Sequence, residues 1–170
     1  MKNTVKLVLV ITIIALCSNV SAQTPKLAHI NLNELVLSMP EYDSASVKLQ
    51  KFVQDYEQLL EEMQVELNRK YDDYSKNQAN WSELVRQTKT EDLTTIQQRI
   101  GQTQQRAEEE INQEQSKLYQ PVVEKANKAV ETVAKEQGIT YVFSDQALIF
   151  KATGTIDLLA AVQKHLGIAR

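Results

Sequence analysis

Cysteine is nearly absent. The single one, Cys17, sits in the first apolar stretch, so the chain cannot close an internal disulfide or build a multi-thiolate metal site. Histidine is almost as scarce. His29 and His165 stand far apart, and neither has a second ligand at metal spacing. His29 reads as an ordinary strand residue. Gly101 is isolated, no glycine-rich phosphate loop occurs, and no G-x-S-x-G elbow is present. The adjacent carboxylates, Glu61-Glu62, Asp72-Asp73 and Glu108-Glu109-Glu110, lie in polar helical sequence with nothing apolar around them to shift a pKa. These absences argue against an enzyme, a cofactor, a metal and a small-molecule substrate.

Glycine and proline are also rare, at four and three residues, so the chain has few places to turn. Long apolar runs are missing. Leu7 to Leu16, interrupted by Thr12, is about half of the roughly 20 residues a membrane span needs. It follows Lys2 and Lys6 and precedes Val20-Ser21-Ala22, the layout of a secretory signal peptide over residues 1–22, cut after Ala22. Leu16 fits poorly as the small residue that lipidation of Cys17 would need in front of it, so Cys17 is expected to leave with the signal. Loss of Lys2 and Lys6 takes the formal charge from −3 to −5. That acidic balance argues against nucleic acid as a partner and weakens any case for anionic lipid.

Helix is what remains in abundance. Residues 42–137 carry a narrow apolar stripe with alternating steps of three and four, the seam of a coiled coil. It runs out through Ala45, Leu49, Phe52 and Tyr56 to Tyr71 and Tyr74. It returns through Leu93, Ile96, Ile100, Thr103, Ala107 and Ile111 to Val122 and Val133. The stripe fails around Asn77 to Trp81, which places the tip of a helical hairpin near residues 76–92. The glutamine-rich return arm, Gln97 to Gln120, has few large apolar residues, so the arms should hold each other weakly. Pro121 interrupts the helical pattern and predicts a kink or break, a hinge between prong and body.

Residues 23–41 and 138–170 flank this prong. Lys26 to Leu32 alternates, with Ala28, Ile30 and Leu32 on one side; Asn33 could cap the short helix after it, and Pro40 could open the long one. Gly138 should end the return helix. Thr140 to Phe143 and Ala147 to Lys151 then read as a β-hairpin about Ser144-Asp145-Gln146, with Asp157 or Thr155 capping a last helix. Three short strands and two short helices make a marginal body with bare edges. Without disulfide or metal, association with further copies is the remaining way to stabilise it. The expected fold class is α+β: a long antiparallel helical hairpin on a small β body completed by trimerisation, with Ala28, Ile30, Leu32, Val142, Phe143, Leu148 and Phe150 in the body.

Two blocks, "KLAHINLNELVLSMPEY" and "YQPVVEKANKAVETVAKEQGITYVFSD" continuing to "TIDLLAAVQKHLGI", together resemble the Skp/OmpH family of periplasmic chaperones, in the form seen in Bacteroidetes-type bacteria. The resemblance implies a homotrimer with a shared β-barrel body. Its three prongs would enclose a cavity for unfolded outer-membrane proteins, without ATP, in the periplasm. Two departures stand out. The best-known members are strongly basic, whereas residues 42–137 here hold 13 Lys or Arg against 18 Asp or Glu, so a lipopolysaccharide or membrane-surface site is not carried over. The family often has Thr where this chain has Leu159. Tyr71, Tyr74, Trp81, Leu84 and Val85 near the tip are candidate client contacts, or they pack the two arms together. The acidic prong also suits a coiled-coil spacer that docks on a basic surface of a folded partner.

Overall fold

The computed structural model describes residues 24–168; the expected signal peptide, its cleavage point and Cys17 fall outside the described residues. In chain order the elements are β1 (Leu27–Ile30), α1 (Leu32–Leu37), α2 (Pro40–Asn77), α3 (Glu83–Glu136), β2 (Tyr141–Ser144), β3 (Ile156–Asp157) and α4 (Leu159–His165). Short 3-10 turns cover Gln78–Asn80 and Asp145–Ala147.

Helices α2 and α3 form the hairpin. Pro40 occupies the first turn of α2, where its missing N–H costs nothing. The tip is short: α2 ends at Asn77, and Ser82 caps α3 by accepting from the Val85 N–H. At 38 residues α2 is about 57 Å long, using 1.5 Å per residue. The 54-residue α3 outruns it, and its last turns leave the prong and enter the body. Helix α3 is continuous through Pro121, although Pro121 has no N–H to offer the carbonyl of Lys117. The break that its sequence suggested does not occur. Gly138, at φ +64°, then closes the helix: its N–H reaches the Lys135 carbonyl at 3.1 Å and the Ile139 N–H reaches Ala134 at 2.9 Å. A side chain would be strained in that left-handed conformation.

The sheet departs from expectation. It has the order β2-β1-β3, and both outer strands run parallel to β1. The Ala147–Lys151 stretch is not a strand, and no hairpin joins it to β2. A tight hairpin turn needs positive φ, which Ser144-Asp145-Gln146 does not adopt; a 3-10 turn instead sends the chain across the sheet. Strand β1 also stops earlier than its alternation suggests. The Asn31 side chain accepts from the Glu34 N–H at 3.2 Å and caps α1, so Asn31 takes the role expected of Asn33, and Leu32 opens a helix.

Register sorts the two sheet faces. Val142, Ala28 and Ile156 align as one row, and Phe143, His29 and Asp157 as the next. Side chains alternate along a strand, so the first row faces one way and the second the other. The Ala28 row meets the helices: Leu35, Met39, Val122, Ala126, Ala129, Val133, Leu158 and Val162 form one buried cluster with Ala28 and Ile30. Leu35, Met39, Leu158 and Val162 are fully buried, each stabilising by roughly 1.5–3 kcal/mol. The small residues Ala126 and Ala129 let α3 approach the sheet closely.

Candidate functional site

Two surfaces are built from these elements. The first is the far face of the sheet. Its central residue, His29, is 5% exposed and sits under the connector that leads from β2 to β3. His29 Nδ1 lies 2.7 Å from Asp145 Oδ1, and Nε2 lies 3.1 Å from Thr155 Oγ1. Lys151 Nζ donates to the other Asp145 oxygen at 3.0 Å. Lys151, and then His29, hold the Asp145 carboxyl below its usual range against a partial desolvation penalty. One imidazole thus bridges both ends of the segment Asp145–Thr155.

Thr155, His29 and Asp145 stand in the order of a hydrolase triad. The Thr155 hydroxyl, however, lies 3.1 Å from the Ala152 carbonyl oxygen and donates to it. The hydroxyl thus has two partners, the imidazole and the Ala152 carbonyl, and the trio ties both ends of the connector to the central strand as a staple. No local pattern signals this contact: His29 and Asp145 are 116 residues apart, and the parallel pairing of β1 with β2 brings them together.

The middle of the connector carries the apolar surface. Ile149 is fully exposed and Phe150 is 81% exposed. Leu27, Tyr141 and Phe143 are also exposed large side chains on the outer strand and its neighbour. Among the body residues singled out by sequence, Ala28 and Ile30 are buried, Leu32 and Val142 pack at the core's rim, and Leu148 is half-buried. Phe143 and Phe150 are uncovered within one chain. Among the described residues, each outer strand has one edge without a partner in the sheet.

The second surface is the prong. At the tip the Trp81 ring meets the Tyr74 ring edge-on at 5.9 Å, and Lys89 Nζ lies 5.5 Å over Trp81. Trp81 and Tyr74 are thus engaged in joining the arms, whereas Tyr71, Leu84 and Val85 are exposed. Midway along, Tyr56 donates to Glu110 across the arms, which places residues 52–66 level with residues 100–114. The first stretch holds five carboxylates and no Lys or Arg; the second holds four against Arg106. The hydrogen bond to that carboxylate pushes the Tyr56 phenol pKa up. The charge of the prong is therefore concentrated in its middle, where no α2 residue is buried. At the root, Pro40, Ala45, Leu118, Pro121 and Val122 line an open cleft of about 480 Å³ beside the Glu41–Lys125 ion pair.

The sequence model of the family described as outer membrane protein (OmpH-like) matches residues 26–166, which takes in every element of body and prong. The chain belongs to the OmpH-like family. The fold agrees. A solved OmpH-like structure from Caulobacter crescentus CB15, described as an outer membrane chaperone, superposes with a TM-score of 0.75. The alignment covers 86% of each chain at 14% identity, a likeness of fold alone. No curated protein sequence matches the chain. For an OmpH-like protein the arrangement is a plain one: a body that packs one sheet face on helices, and a long hairpin held to it through Val122 to Ala134 of α3.

Proposed function

We propose that this OmpH-like protein is a periplasmic chaperone that associates as a homotrimer, holds unfolded outer-membrane β-barrel chains between its prongs without ATP, and releases them for assembly. One observation carries the reading. Among the described residues, the body leaves two strand edges and the apolar connector residues Ile149 and Phe150 uncovered, while the prong has no wide apolar face of its own. Bodies of this kind are stabilised by further copies, and prongs of this kind line a space instead of filling it. Removal of residues 1–22 on export would leave the described part in the envelope. Pro121, beside the cleft at the root, serves in this reading as the place where the prong changes its angle. Tyr71, Leu84 and Val85 offer weak, sequence-tolerant contact to a client near the tip.

The test is dilution of a urea-denatured outer-membrane β-barrel protein into buffer. Light scattering should fall as the chaperone reaches molar excess of trimer; unchanged scattering would sink the proposal. Sedimentation should give three times the chain mass, and a monomer at micromolar concentration would remove the assembly part.

The acidic middle of the prong favours a second reading, a spacer that docks on a basic surface. Capture from a periplasmic extract separates the two, because a chaperone retains many unfolded chains and a spacer enriches one folded partner.

A further inference from the structure

The connector is the least regular part of the body, yet it presents the most exposed apolar side chains, Ile149 and Phe150. A loop whose middle is in solvent keeps a defined shape only when its ends are fixed, since each free residue gains conformational entropy on release. Within the loop, Lys151 is tied to Asp145, and the Thr155 hydroxyl to Ala152. Outside it, Asp145 and Thr155 both bond to one buried ring, that of His29 in the middle of the central strand. His29 contributes nothing to the buried apolar cluster on the other sheet face.

We propose that His29 is the positioning residue of the assembly surface: it holds the connector flat on the sheet so that Ile149 and Phe150 face a second copy of the chain. This rests on the association proposed above. His29 touches no partner itself; it acts through the connector. The charged groups around it are Asp145 and Lys151 from the connector and Asp157 from β3, whose Oδ1 accepts from the Leu159 N–H at 2.9 Å.

The experiment uses the purified protein and two paired substitutions. Thr155→Val removes the hydroxyl's bonds to both His29 and Ala152 with little change of shape, and Thr155→Ser keeps them. His29→Ala isolates the part that runs through the ring, and His29→Gln keeps a donor near Nε2. Amide hydrogen exchange over residues 146–154 should quicken about tenfold in Thr155→Val and further in His29→Ala, with Thr155→Ser close to the parent. Self-association, read by sedimentation, should weaken about tenfold in the same order, while circular dichroism stays unchanged. Equal exchange in Thr155→Val and Thr155→Ser overturns the staple. Faster connector exchange with undiminished association overturns its role in assembly. Exchange that quickens equally over β1 overturns it too, because His29 would then be supporting the sheet. A parent protein that sediments as a monomer refutes the association itself, and the exchange comparison still judges the staple.

Discussion

Glu41 and Lys125, 84 residues apart in sequence, form an ion pair across the root of the prong. Lys125 holds the Glu41 carboxyl below its usual value. Both side chains are close to half exposed, so the pair contributes at most about 1 kcal/mol and is screened by salt. A depressed carboxylate pKa stabilises the fold above the unfolded value, and that contribution is lost as the pH falls through the folded one. Lys125→Ala should lower the urea midpoint only slightly in dilute buffer and by nothing measurable in molar salt.

Asp145 should behave in the same direction but locally. Its carboxyl is depressed first by Lys151 and then by His29, so its contribution is present near neutral pH and disappears on acidification. Protection of the connector amides, taken relative to the intrinsic exchange rate at each pH, should stay level near neutral pH and fall once the pH drops below the ordinary carboxylate value of about 4. Asp145→Asn should flatten that profile.

The body core should be intolerant of truncated side chains. Leu35 and Leu158 are fully buried among α1, α3 and the sheet. Leu35→Ala or Leu158→Ala should each cost about 2–5 kcal/mol, read by chemical denaturation.

Gly101 predicts the opposite sign. It lies inside α3, and a Cβ there would meet no atom within 4 Å. Gly101→Ala should stabilise the helix by roughly 0.5–1 kcal/mol, seen as a higher melting temperature. In the proposed chaperone the stiffer prong should hold clients of unequal size less evenly, measured as a wider spread of scattering suppression across them.

The exposed pair on the connector gives the most direct check of assembly. Ile149→Ser with Phe150→Ser should reduce the sedimenting species to a monomer without lowering its helix content, since neither side chain belongs to the core. Deleting residues 138–170 would be a poorer test. It strips β1 of both neighbours and removes Leu158 and Val162 from the core, so the body itself would come apart.

Periodicity made the prong readable. Stripes such as Ala45, Phe52 and Tyr56 on one arm and Ile96, Ile100 and Ala107 on the other are local patterns, and local patterns survive in a bare sequence. Gly138 and Pro40 marked helix ends because each has a conformational reason to sit there. The cap expected at Asn33 is Asn31 instead, because the pairing of β1 with β2 ends at Ile30 and the helix starts directly after it.

The sheet and the staple belong to the tertiary structure. Two apolar stretches either side of Ser144-Asp145-Gln146 look like a hairpin, and only the insertion of β1 between β2 and β3 makes them otherwise. The partners that decide this lie more than a hundred residues away: Tyr141 beside Leu27, and Asp145 and Thr155 on either side of the His29 ring. The sequence by itself determined a long thin-seamed helical hairpin, because that depends on contacts three and four residues apart. What the two ends of the chain build together was decided only when folding brought them into one sheet, because strand pairing is set by register between distant segments.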